Sequence, residues 1–272
     1  MSGSLKGKTA LVTGSTGGIG EAFARAFAAE GCNVMMNGLG EPAAIEKLRA
    51  AIAAEHDVKV EYHGADVGKP ADIDAMVRAT EHQLGPIDIL VNNAVVRHYH
   101  KVEDFPPEEW DRAVAVDLSA AFHTIRLTMR GMKQRGWGRI INMSSIHGRM
   151  AVPNRVDYVT AKHALIGMTR GVALECAETG VTINALMPGW VLTPHAEGQI
   201  ARQMKADNVS REKALQTLMS VRQPSQRPIM PSDIAAFGVF LCSGPGAHIN
   251  GAALPMDGAW QTGFMVTVGN SK

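Results

Sequence analysis

The chain has 272 residues, a formal net charge of +1 and 5% aromatic residues. Phosphate-tracking surfaces need a basic excess and base-stacking platforms need aromatics, so neither mode of nucleic-acid binding fits. No apolar run approaches the ~20 residues of a membrane span, and Met1–Lys8 carries no apolar core of a secretory signal.

Apolar runs alternate with helical stretches from the N-terminus onward. Thr9–Thr13 is a β-rich run ending in a glycine-rich turn, and Glu21–Glu30 reads as a helix with alanines and phenylalanines on one side. Asn33–Met36 predicts a second strand, Ala43–Glu55 an alanine-rich helix, Val58–Tyr62 a third strand and Ala71–Gln83 a helix. Ile87–Val91 is almost wholly apolar, as strands buried on both faces are. A long helix is expected from about Pro107 to Arg135, then a fifth strand at Arg139–Met143, a helix over Val156–Glu178 and a sixth strand at Thr182–Leu186. After Pro188 the rhythm changes, and residues 190–230 read as a strandless helical lid over one end of the sheet. Ser232 opens a last helix with Asp233 in its first turn, and Ala252–Pro255 supplies a seventh strand. The expected fold is α/β, a doubly wound parallel seven-stranded sheet (Rossmann fold) with a small helical lid, in one domain spanning residues 1–272. Ligands of such sheets bind at the carboxyl ends of the strands.

The first strand runs into Gly14, Thr16, Gly18, Ile19 and Gly20. Glycines let backbone approach a pyrophosphate, and the following helix offers free N–H groups and a positive dipole end. Many loops are glycine-rich, but a strand before and a helix after are the context this motif requires. Asn37–Gly40, after the second strand, holds neither an acid for the ribose hydroxyls nor a base for a 2′-phosphate, and the missing base favours NAD over NADP. Asp66 and Val67 are candidates to hold the adenine ring, and Asn93 to lie along the cofactor. Their bland alternatives are a helix cap and a simple turn.

Tyr158 and Lys162 are four apart in a helical segment and share a face. Ser145 closes the fifth strand and is expected nearby. Ketone reduction needs a hydride and a proton, and an ordinary tyrosine, with a pKa of ~10, is a poor base for the reverse reaction near neutrality. A neighbouring cation favours the phenolate, and a serine hydroxyl can hold the substrate oxygen. A Tyr-xxx-Lys pair alone is weak; joined to Ser145 and the glycine turn it is specific. Cys32, Cys176 and Cys242 lie far apart without metal-ligand spacing, so they read as reduced structural thiols of a cytoplasmic protein and no metal is expected.

Taken in order, the glycine turn, Asn92-Asn93-Ala94, Ser145, Tyr158-xxx-Lys162 and Pro188-Gly189 resemble the short-chain dehydrogenase/reductase family over essentially the whole chain. Within it, Glu103-Asp104-Phe105-Pro106, Gly138–Asn142, Pro188–Val191 and Asp257–Trp260 look most like the bacterial D-3-hydroxybutyrate dehydrogenases. The resemblance implies hydride transfer between NAD and a small hydroxy acid, D-3-hydroxybutyrate first, and a homotetramer built on the helices near 107–135 and 156–177. It implies cofactor contacts from Pro188, Gly189, Val191 and Thr193, and a substrate pocket of His147, Arg155, Trp190, Gln199 and Trp260. Surface solvation or lid packing are the alternatives for these pocket residues.

Arg97 stands where the resembling enzymes carry a glutamine, which adds a cation and extends substrate choice to a further polar or acidic group, or tightens carboxylate binding. Val95 replaces a glycine beside the nicotinamide. Asp117 replaces the asparagine that serves as the fourth catalytic residue, and its added anion beside Lys162 is expected to weaken the pull on Tyr158 and reduce activity. Two other readings compete: a 3-oxoacyl thioester reductase and a weakly active NAD-binding regulator.

Overall fold

The computed structural model describes residues 5–263. The expected tail over 261–272 therefore falls mostly outside the described residues. The strands are β1 (Thr9–Val12), β2 (Asn33–Asn37), β3 (Val60–His63), β4 (Ile89–Asn92), β5 (Gly138–Met143), β6 (Val181–Pro188) and β7 (Ala253–Met256). They form one parallel sheet in the order β3-β2-β1-β4-β5-β6-β7. The order reverses between β1 and β4, and the site develops at that switch point.

Five helices begin with proline at or next to their first position: α2 (Pro42–His56), α3 (Pro70–Leu84), α4 (Pro107–Val114), α7 (Pro194–Asp207) and α9 (Pro231–Cys242). Proline fits there because its φ is preset and its missing N–H would lack a helical partner anyway. The last helix thus opens at Pro231, one residue before the expected Ser232, and the Asp233 carboxylate accepts the Met230 N–H at 3.0 Å.

The remaining helices are α1 (Gly18–Ala29), α5 (Ala120–Arg135), α6 (Val156–Cys176) and α8 (Arg211–Ser220). Alternation along the strands sorts the core into two layers. Ala10, Val12, Val34 and Ile141 pack with Phe23 and Phe27 of α1 and Ile234 of α9. Leu11, Met35, Leu90 and Ile140 face α3, α5 and α6 through Met76, Ile125 and Cys176. Cys32, Cys176 and Cys242 are all buried free thiols, and burial pushes Cys32 up to about 12, so it is a poor nucleophile.

Two expectations are corrected. The single helix over 107–135 is interrupted by a π-helical turn at Ala115–Ser119 between α4 and α5. The extra residue in that turn changes the helical phase, so that both Val116 and Asp117 are buried. Propensity gives no sign of it, because the segment is helical on either side. The lid is not wholly free of β-pairing either: Val191 and Ile229 form an isolated parallel bridge that ties its two ends together.

A buried amide ladder crosses the sheet from α5 to α6. Thr124 donates to Asn92 Oδ1 at 2.7 Å, Asn92 Nδ2 to Asn142 Oδ1 at 2.9 Å, and Asn142 Nδ2 to Thr169 Oγ1 at 3.0 Å. Leaving a buried partner unpaired costs about 1–3 kcal/mol. Asn142→Ala breaks two of these bonds, so urea unfolding should show a loss of about 2–4 kcal/mol with an unchanged m-value. A midpoint that does not move would mean the ladder carries no stability.

Candidate active site

The chain leaves β1 through Thr13–Gly17 and enters α1 with no side chain capping the helix. The first-turn N–H groups and the dipole are therefore available to an anion. Gly14 has a φ of 63°, and a Cβ there would lie 2.8 Å from Ala94 Cα. A Cβ on Gly20 would strike the Gly14 carbonyl. These two positions need glycine because backbone meets backbone, and the resulting cradle fits a pyrophosphate.

Asn93 pins the cradle to β4. Its Nδ2 donates to Thr13 O at 3.0 Å and Gly14 O at 2.9 Å, and its own N–H goes to Thr13 Oγ1 at 2.9 Å. Thr16 donates to Leu39 O at 3.1 Å, and Gly18 lies against Thr193 across the cleft. Asn37 is consumed structurally, with Nδ2 bonded to His63 O and Ala65 O, both at 2.9 Å. Glu41 caps α2 by accepting the Ala44 N–H at 2.7 Å. Asp66 is held by Arg112 of α4 at 2.8 and 3.0 Å and by the Gly68 N–H at 3.0 Å. Arg112 holds this carboxyl below its usual range. The sequence gives no hint of that ion pair. Val67, beside it, is buried in the core under β2.

One cavity of about 320 Å³ opens at the switch point. Its lining includes Ile19, Asn93, Val95, Pro188, Gly189, Val191 and Thr193, expected along the cofactor, and Arg97, His147, Arg155, Trp190, Gln199 and Trp260, expected around the substrate. Ser145, Tyr158 and Lys162 share the same lining. The expected pocket thus comes together, whereas Gly14, Thr16, Gly18, Gly20, Asp66 and Val67 lie outside this lining.

Lys162 is only 3% exposed and its Nζ donates to Met143 O at 2.9 Å. Nζ stands 5.3 Å from the Tyr158 ring centre. The Arg155 guanidinium stacks over the same ring at 4.0 Å and over Tyr99 at 4.9 Å. Two cations thus face one phenol, and Arg155 keeps Nε and Nη2 buried without hydrogen-bond partners. His147 sits edge-on to Tyr158 and to Trp260, its Nδ1 also unpartnered. Ser145 Oγ accepts the His147 N–H at 3.2 Å. Burial, then Arg155, holds the His147 imidazole below its ordinary value.

The lid is fixed by a second set of bonds. Trp190 Nε1 donates to Gln199 Oε1 at 2.9 Å, Arg222 Nη1 donates to the same oxygen at 3.1 Å, and the Trp190 N–H goes to Gln223 Oε1 at 2.9 Å. Tyr99, His195 and Arg222 also line the cavity and were not expected. Tyr99 was findable, since it lies two residues from Arg97 in the same loop after β4. His195 was findable too, at i,i+4 from Gln199. Arg222 carries no local signal. Behind the site, His98 Nδ1 lies 2.9 Å from the buried Asp157 carboxylate and fastens the loop after β4 to the start of α6.

Asp117 faces away from the large cavity, into a separate space of about 10 Å³ that it shares with Lys162, about the room of one water. Its Oδ1 accepts the Val96 N–H at 2.8 Å and its Oδ2 is buried without a partner. Burial raises its pKa, opposed by the Lys162 ammonium.

A parallel sheet that cradles a dinucleotide at its switch point and sets a tyrosine and a lysine beside it defines an oxidoreductase of the dinucleotide-binding class. The chain belongs to the short chain dehydrogenase family, whose model matches residues 8–204. It is 47% identical over 257 residues to the D-beta-hydroxybutyrate dehydrogenase of Cupriavidus necator, covering 94% of this chain and 98% of that one. It is 44% identical over 253 residues to the enzyme of the same name from Rhizobium meliloti, covering 93% and 98%. Among solved structures, L-sorbose reductase from Gluconobacter frateurii with NADPH and L-sorbose superposes with a TM-score of 0.91 at 28% identity, covering 97% of this chain and all of that one, 100%. Actinorhodin polyketide ketoreductase with NADPH gives 0.86 at 32% identity, covering 96% and 99%.

Two predictions follow from burial in this site. The unfolded chain releases the Asp117 proton first as pH rises through the ordinary carboxylate range, so the folded state loses stability there. Asp117→Asn removes that loss and the anion beside Lys162, so it should show a higher melting midpoint and higher turnover near neutrality. Lower turnover would sink this account of Asp117. For His147 the sign is opposite: its folded value is depressed, so the unfolded chain binds the proton first as pH falls through ~6.5. Stability is lost on that side, and His147→Asn should flatten the fall in melting midpoint on acidification.

Proposed function

We propose that the chain is an NAD-dependent dehydrogenase that interconverts a small hydroxy acid and its keto acid, D-3-hydroxybutyrate and acetoacetate being the first pair to try. The observation that carries this reading is one cavity at the switch point in which Lys162 and Arg155 both lie near the Tyr158 ring and Ser145 shares the lining. The identity to the two D-beta-hydroxybutyrate dehydrogenases supports the substrate class.

When the dinucleotide is bound, its nicotinamide would supply or accept the hydride. In the oxidative direction Tyr158 is the group that takes the hydroxyl proton, with Lys162 and Arg155 facing its ring. Ser145 holds the substrate oxygen in line. Arg155 offers Nε and Nη2, and His147 its imidazole, to the carboxylate. Neutral His147 suits this role, because it can donate without adding charge. Gly14, Thr16, Gly18, Ile19 and Gly20 would hold the pyrophosphate, and Pro188, Gly189, Val191 and Thr193 the nicotinamide.

NAD, rather than the NADPH of the solved relatives, is supported by the end of β2: no cation lies from Asn37 to Glu41 and Asn37 is already bonded to β3. The same feature weighs against a 3-oxoacyl thioester reductase. An intact Ser145, Tyr158 and Lys162 weighs against a purely regulatory protein. A homotetramer through α5 and α6 is supported by Phe122, 50% exposed, and Leu174, 82% exposed, on those helices. Buried thiols fit a cytoplasmic home.

The test is absorbance of reduced nicotinamide with NAD or NADP and both enantiomers of 3-hydroxybutyrate. NAD should be preferred, and Tyr158→Phe should lower kcat by about 10²–10⁴-fold while NAD still binds. Full activity in Tyr158→Phe, or a preference for NADP, would overturn the corresponding assignment.

A further inference from the structure

The charges of the cavity do not match a substrate with a single carboxylate. Arg97, Arg155, Arg222 and Lys162 line it, and none of its lining residues is an aspartate or glutamate. The nearest buried acids are both turned elsewhere. Asp117 opens into the smaller space behind Lys162, and Asp157 is paired with His98. Setting Lys162 aside for Tyr158, three guanidinium groups remain around one small substrate.

They are not equivalent. Arg155 lies on the Tyr158 ring with two unpartnered nitrogens, beside the reacting centre. Arg222 is tied to Gln199, the acceptor that also fixes Trp190. Arg97 is exposed on the loop after β4 and makes no ion pair among the described residues. Its field reaches His195 on the lid, as does that of Arg155, and both lower the imidazole pKa after burial. His195 in turn lies 3.4 Å from the Tyr99 hydroxyl and 3.2 Å from Gln199 Nε2. Arg97, Tyr99 and His195 thus form a second polar wall, reached from a different element than the first.

We infer that the site takes a hydroxy acid carrying two anionic groups, with one carboxylate held at Arg155 and a second carboxylate or a phosphate held at Arg97. This rests on the hydroxy-acid dehydrogenase reading above and narrows its substrate class. The chemistry at the carbinol is unchanged: its C–H breaks with the hydride going to NAD, and its O–H proton goes to Tyr158. A guanidinium fork suits either anion. Asp117, outside the lining, acts on Lys162 and Arg97, but the lining itself holds three guanidinium groups and no acid, and such a surface raises the local concentration of a substrate with two anionic groups over a monoanion. Charge-assisted hydrogen bonds are worth about 1.5–3 kcal/mol, which corresponds to a ten- to hundredfold preference.

The experiment compares kcat/KM for NAD reduction by 3-hydroxybutyrate, by 3-hydroxyglutarate and by 3-hydroxybutyrate bearing a 4-phosphate. At least one of the two acids with a second anionic group should exceed 3-hydroxybutyrate tenfold or more, and which one does so separates carboxylate from phosphate. Arg97→Gln should lower that ratio ten- to hundredfold, and Arg97→Lys should keep most of it. Arg202→Gln removes an exposed cation that acts on His195 from outside the cavity lining and should leave the ratio within twofold. A ratio at or below one, or a ratio that Arg97→Gln leaves in place, overturns the inference while activity on 3-hydroxybutyrate preserves the dehydrogenase reading. Oxidation of none of the three acids overturns both.

Discussion

An ammonium group enclosed to 3% exposure is the constraint on which the site is built. An uncompensated charge in such a place is costly, so every element around Lys162 is arranged to receive it. β5 ends so that Met143 presents its carbonyl to Nζ. Ser144 donates to the Lys162 carbonyl at 2.8 Å, which locks α6 against the strand end. Gly148 leaves no room for a side chain between that serine and α6. With the lysine held, Tyr158 one turn earlier has no choice of face, and Arg155 can close over it from the other side.

Much of this was legible in the sequence because it depends on local spacing. Tyr158 and Lys162 share a helix face by period alone, and the glycine turn announces itself between a strand and a helix. All seven strands follow from the sequence pattern, with ends displaced by at most two residues. Contacts made across the fold were not legible. Arg155 was expected in the substrate pocket, but not its stacking over Tyr99 and Tyr158, and Asp66 was expected near the adenine, but not its ion pair with Arg112 of α4. The π-helical turn was hidden for another reason: helix continues on both sides of it, and only the fold, with Asp117 buried and accepting the Val96 N–H, shows that the phase has slipped.

Sharing a fold with enzymes solved with NADPH says little about cofactor choice. Sheet order, glycine cradle and Asn93 staple serve the parts common to both dinucleotides, whereas the distinguishing phosphate would sit at the end of β2. There this chain spends Asn37 on joining β2 to β3 and Glu41 on starting α2. Fold and selectivity are therefore written in different residues, and only the first is conveyed by superposition.

Two of the four tryptophans, Trp190 and Trp260, line the same cavity as Ile19 and Thr193, while Trp110 lies in α4 and Trp137 precedes β5. Indole emission overlaps the absorption of reduced nicotinamide but not that of the oxidised form. With a nicotinamide ring held beside Pro188 and Thr193, the protein would carry its own optical gauge of cofactor redox state: excited-state energy from the lid and from the C-terminal segment would drain into the reduced ring, and the glow would return as the ring is oxidised.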